Sequence, residues 1–148
     1  MLWAGWALVS LGWALAPFIR TRHYFEGPVS SGAGSVLILA GLAGTFWAHA
    51  SMGDAWRIGV RREEKTPLIT GGPYRFIRHP LYSFQWVILL GVFLLEPSLV
   101  TLFILFFHRL LVAFKMKDEE QHMGSLHGPL YKEYTARTGA LLPKFKRA

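Results

Sequence analysis

Two short stretches hold most of the side chains able to do chemistry. Residues 71–83, GGPYRFIRHPLYS, bring together two arginines, a histidine, two prolines and two tyrosines. Residues 115–123, KMKDEEQHM, place the adjacent carboxylates Glu119 and Glu120 directly after a long apolar run. Pro73 and Pro80 exclude a continuous helix from Gly71 through Tyr82, Gly71-Gly72 permits a tight turn, and Pro80 drives His79 away from helical geometry. Arg78 and His79 therefore sit on a rigid turn before an apolar segment. Basic residues and tyrosines also serve as plain interfacial anchors. Anchoring needs neither the glycines nor the His-Pro step, which favours a binding loop, although Arg75 and Arg78 could still be interfacial or structural.

The surrounding elements must hold this loop at a membrane. The chain has 148 residues, 52% of them hydrophobic, with six Trp, eleven Phe and five Tyr; its mean hydropathy is +0.30. Four apolar runs, at 3–19, 31–50, 81–96 and 98–114, read as spans. The third is short, and Gln85 is its one strongly polar side chain. No Lys or Arg precedes the first run, which counts against a secretory signal. The expected fold is an all-α integral membrane domain over 1–148, with about four transmembrane helices, a loop at 51–80 and a helical tail at 115–148.

Lys and Arg orient the spans. The loop at 51–80 carries six, the tail seven, and the first connection only Arg20 and Arg22. Four spans with both termini and the polar loop on the cytoplasmic side satisfy this asymmetry. The same distribution, between and after uncharged runs, argues against a nucleic-acid partner despite the formal charge of +7. There is no cysteine, and the six histidines form neither HExxH nor a paired HxxxH, so no catalytic metal is expected. Gly34, Gly41, Gly44 and Ala48 form a small-residue stripe suited to close helix packing. Pro97 suits the first turn of the fourth helix.

That helix is expected to run on past Phe114, since neither Pro nor Gly occurs before Gly124. His108, Val112, Lys115 and Glu119 then share one face, and Arg109, Ala113, Met116 and Glu120 the next. Arg109 either snorkels to the interface or joins His108, Lys115, Glu119 and Glu120 around a polar cavity. Lys115 and Glu119 could equally form a solvated pair.

Taken in order, LITGGPYRFIRHPLY at 68–82, EEQHM at 119–123, HGPLYKEY at 127–134 and LLP at 141–143 resemble the isoprenylcysteine carboxyl methyltransferase and phospholipid methyltransferase superfamily. The likeness covers about two-thirds of the chain, from Ala50 onward. It implies a membrane enzyme using S-adenosylmethionine, with Leu68, Ile69, Tyr74, His79, Pro80, Leu81, Tyr82 and Glu119 gripping the cofactor. Arg109 and Lys115 would face a lipophilic or lipid acceptor. His108, His79 or Glu120 would be the catalytic candidate wherever the acceptor must lose a proton; a carboxylate acceptor needs no such base.

The chain departs from the family pattern in places. A glycine usual two residues after the R-H-P-x-Y tyrosine is Phe84 here, and His127 replaces a phenylalanine. Lys115 stands where the isoprenylcysteine enzymes carry an arginine, and lysine supplies charge without a bidentate fork. The alternatives are an NADPH-binding reductase-like protein, for which four spans look too few, or a non-enzymatic membrane anchor. Oligomeric state is not legible.

Overall fold

The computed structural model describes residues 27–53 and 67–144. Four α-helices account for most of them: α1 (Pro28–Met52), α2 (Pro80–Leu95), α3 (Leu99–His127) and α4 (Pro129–Arg137). A 3-10 turn at Gly72–Arg75 precedes α2. The expected first span at 3–19 and most of the basic loop lie outside the described residues.

Proline opens three of these helices, Pro28, Pro80 and Pro129, each where a missing N–H leaves no bond unmade. The fourth begins differently. Pro97 is buried one residue before the cap, not in the first turn of α3. Ser98 is the N-cap: its hydroxyl accepts from the Thr101 N–H at 3.2 Å, and the Thr101 hydroxyl accepts from the Ser98 N–H at 3.1 Å. This reciprocal pair satisfies two helix-end donors that a proline at the first position could not.

The small-residue stripe on α1 faces α2. A side chain at Gly34 would approach the Gly91 carbonyl oxygen to 2.7 Å, and one at Gly91 would approach the Gly34 oxygen to 2.6 Å. At Gly41 it would meet Ile88 at 2.5 Å, and at Gly44 it would run into the Phe84 ring. Phe84, the departure from the family glycine, is thus seated on a glycine of the facing helix. Backbone contact of this kind is how helices pair where lipid removes the hydrophobic drive.

α1 and α3 are long and apolar enough to cross a membrane; α2, with 16 residues, is apolar but shorter. Large apolar side chains stay exposed along α1 (Val36, Leu39, Phe46) and α3 (Phe103, Phe106, Leu111, Phe114). At about 1.5 Å per residue the 29 residues of α3 extend about 43 Å, beyond a hydrocarbon core of about 30 Å. Phe114 is its last exposed aromatic, and the remaining turns, from Lys115 on, are polar. α3 therefore runs on as expected, through Gly124, until Gly128 (φ +49°) breaks it and α4 begins.

After α4 the chain returns to the loop. Ile77 and Gly139 form a parallel bridge. The N–H groups of Arg78 and His79 donate to the carbonyls of Gly139 and Ala140 at 2.8 and 3.0 Å. The Ser83 hydroxyl donates to the Leu141 carbonyl at 2.7 Å. Gly72 (φ +55°) lies so close to Ser51 that any side chain would collide with its hydroxyl. The loop at 67–79 is therefore held at one end of the bundle by α1, α2 and the strap at 138–141.

Candidate functional site

Pro80 starts α2 and keeps His79 non-helical, with φ −122° and ψ 62°. His79 is nearly buried at that corner. Tyr82 sits in the next turn, and the carboxylates of α3 reach both. The Tyr82 hydroxyl donates to Glu119 Oε1 at 2.7 Å. His79 Nδ1 is 3.5 Å from Glu119 Oε2, and Nε2 is 3.2 Å from Glu120 Oε1. One imidazole thus bridges two successive carboxylates, and its ring stacks on Tyr82 at 5.7 Å between centroids. Lys115, one turn before Glu119 and half-exposed, is 3.9 Å from it.

Arg78 completes the constellation. Its Nε donates to Glu120 at 2.8 Å and its Nη1 to the Thr138 carbonyl at 2.6 Å. Burial alone raises the Glu120 carboxyl, but the bond and charge of Arg78, with a further bond from His79, outweigh it and hold the group below its ordinary value. Tyr74, Tyr131 and Tyr134 are pushed up to about 12, chiefly by burial. At Tyr74 the charges of Tyr134 and Glu119 add to the shift. The Tyr74 carbonyl in turn accepts from the Tyr134 hydroxyl at 2.7 Å, so α4 braces the turn.

His79, Tyr82, Glu119, Glu120 and, at the edge, Lys115 therefore come together, while Tyr74 is tied to α4 through its carbonyl. Pro80 and Leu81 lie within the same corner, and Leu68 and Ile69 are half-buried in the segment leading to it. Two residues do not join. His108 lies eleven residues before Glu119, about 16 Å along α3, and bonds Gln85 of α2 at 3.2 Å. Arg109 is exposed. Of the two alternatives for Arg109, its exposure favours the interface over a place beside His108, Lys115, Glu119 and Glu120. A groove of about 620 Å³ runs between α3 and α4, past Met116, Lys117, Glu120, Tyr131 and Lys132, and only Glu120 among these five residues lines it. α4 packs beside the polar end of α3, next to Glu120 rather than His108.

Thr138 and Ser83 are contributors that sequence reasoning missed, and Arg78, left open there as interfacial or structural, holds Glu120 and the Thr138 carbonyl. Arg78 carried a signal, being a guanidinium fixed beside the His-Pro step. Thr138 and Leu141 carried none, because their carbonyls do the work. Arg75 lies over the ring of Phe76 at 4.8 Å, outside the cluster.

The phospholipid methyltransferase family matches residues 29–129, from the start of α1 through α3. This chain belongs to that family. It is similar to the nickel-cobalt-cadmium resistance protein NccN of Alcaligenes xylosoxydans xylosoxydans, 29% identical over 74% of this chain and 51% of the relative. The cobalt-zinc-cadmium resistance protein CzcN of Cupriavidus metallidurans is also 29% identical over 74% of this chain, and 50% of its own length is covered. The protein-S-isoprenylcysteine O-methyltransferase B of Arabidopsis thaliana is 29% identical over 92% of this chain and 76% of the plant protein. The chain spans about half the length of the two metal-resistance relatives.

Proposed function

We propose that the protein transfers a methyl group from S-adenosylmethionine to a lipophilic acceptor that reaches the site from the membrane. The observation that carries this reading is the convergence of Tyr82, His79 and Glu119 from two helices, in a chain of a methyltransferase family. The donor set fits the cofactor: a carboxylate for its ammonium or ribose hydroxyls, an imidazole and a phenol for its polar groups, and Leu68, Ile69, Pro80 and Leu81 as apolar walls.

When bound, the cofactor supplies an electrophilic methyl group. The protein's part is alignment and exclusion of water, because charge is neutralised as the methyl moves. Glu119, fixed by Tyr82 and His79, orients one partner. Lys115, on the same face of α3 one turn toward the apolar stretch, is placed to meet a carboxylate or another polar end of the acceptor. Glu120 is bound to Arg78 and held low, which makes it a poor proton acceptor and favours a positioning role. A cytoplasmic placement of this end follows the positive-inside asymmetry.

The test is calorimetric titration of the purified full chain in detergent with S-adenosylmethionine. Binding in the micromolar range is expected, with at least a roughly tenfold loss in Glu119→Ala and His79→Ala, each of which removes a charge-assisted contact. No binding by the wild type, or binding of NADPH in its place, overturns the reading.

A further inference from the structure

His108, Gln85 and Trp86 form a polar group between apolar stretches of α2 and α3, next to the exposed Arg109 and well away from Glu119. Gln85 and Trp86 lie three and four residues beyond Tyr82, on the face of α2 that meets α3. His108 lies on the Lys115–Glu119 face of α3, about 10 Å from Lys115 along the axis. Polar side chains at such depth are costly unless they are paired or bind something. The Gln85–His108 bond at 3.2 Å accounts for one nitrogen only. His108 Nδ1 and Trp86 Nε1 are both buried and without a hydrogen-bond partner among the described residues, and their rings stand edge to face with centroids 6.3 Å apart. Glue between helices explains the first bond but leaves these two atoms unexplained.

Their chemistry defines what would satisfy them. With the Gln85 carbonyl oxygen facing Nε2, the imidazole proton sits on Nε2, and Nδ1 is left as an acceptor. The indole N–H is a donor only. A carboxylate cannot donate to Nδ1, and an ammonium cannot accept from the indole. A hydroxyl does both.

We propose that the α2–α3 seam carries a subsite for a hydroxyl-bearing lipophile, read by His108 Nδ1 and Trp86 Nε1–H and oriented by Gln85. Only the further assignment of that lipophile as the methyl acceptor rests on the methyltransferase reading. The subsite shares its α3 face with Lys115 and Glu119, about 10 and 16 Å farther along the helix.

The probe is a long-chain alcohol carrying a diazirine next to the hydroxyl carbon, compared with its methyl ether, which keeps the acceptor and loses the donor. The purified full chain in detergent is photolysed with each, and labelled peptides are mapped by mass spectrometry. The alcohol is expected to label the segments around Gln85–Trp86 and His108 about three- to tenfold more than the ether, the range for one or two hydrogen bonds in an apolar medium. Trp86→Phe, which keeps an aromatic ring, and His108→Leu should each remove most of that excess. Equal labelling by alcohol and ether, or an undiminished excess in Trp86→Phe, overturns the subsite. Titration of the same samples with S-adenosylmethionine separates the two readings. Cofactor binding without discrimination sinks the subsite alone, and discrimination without cofactor binding sinks the methyltransferase reading alone.

Discussion

The Tyr82 hydroxyl lies 2.7 Å from Glu119 and ties the first turn of α2 to the polar extension of α3. A hydrogen bond to a charged group contributes about 1.5–3 kcal/mol. Tyr82→Phe keeps the ring stacked on His79 but frees the carboxylate to rotate. Its S-adenosylmethionine affinity should fall by roughly tenfold and its unfolding midpoint should drop by several degrees, read by calorimetry and by thermal denaturation in detergent.

Arg78 holds two elements at once, Glu120 of α3 and the Thr138 carbonyl. Arg78→Ala leaves Glu120 facing His79 alone and should destabilise the protein by about 2–3 kcal/mol, since one partner of a part-buried pair is lost. Arg78→Lys should recover less than half of that, because a single ammonium does not span both acceptors as the planar fork does. Limited proteolysis reads the effect directly: cleavage within the strap should rise in both variants, more in the alanine one. Unchanged cleavage would show the strap to be held without Arg78.

The pH response has two edges. Glu120 has a depressed folded value, so its contribution is complete above the ordinary carboxylate value of 4.5 and is lost as pH falls through the lower folded value. Tyr74, Tyr131 and Tyr134 have raised values, so their contribution is complete below 10.0 and is lost as pH rises through about 12. A titration of phenolate absorbance should therefore show these three ionising late in the folded protein and near 10.0 once it is unfolded. Three phenols titrating near 10.0 in the native protein would contradict the bracing of the loop by α4.

Gly44 and Phe84 form a matched pair, the ring occupying the space a side chain would need. Gly44→Ala should destabilise the α1–α2 pair by about 1–3 kcal/mol through overpacking. Phe84→Ala alone should also destabilise it, by leaving a cavity. Combined, the two should cost clearly less than the sum, a coupling that denaturant unfolding of the four proteins would measure.

Much of the fold was legible because local rules decide it. Pro80 bounds the turn before α2, Gly34, Gly41, Gly44 and Ala48 mark the buried face of α1, and the lack of a breaker after Phe114 carries α3 out beyond its apolar stretch. Pro97 misled, because the Ser98–Thr101 capping pair outcompetes it for the helix start. The site was legible in its residue types and in the faces they share. Periodicity names a face but not the neighbour it meets, so the Gln85–His108 pairing and the intrusion of α4 beside Glu120 could not be read. The strap was invisible for another reason: Thr138, Gly139, Ala140 and Leu141 act through backbone carbonyls, which every residue owns.

The strap also sets an order of events during synthesis. The N–H groups of Arg78 and His79 and the Ser83 hydroxyl find their acceptors in residues made some sixty positions later. The helices can enter a bilayer as they emerge, yet the loop between them lacks these acceptors until Leu141 has been added. The corner at His79 therefore gains its full set of partners only after the strap has been made.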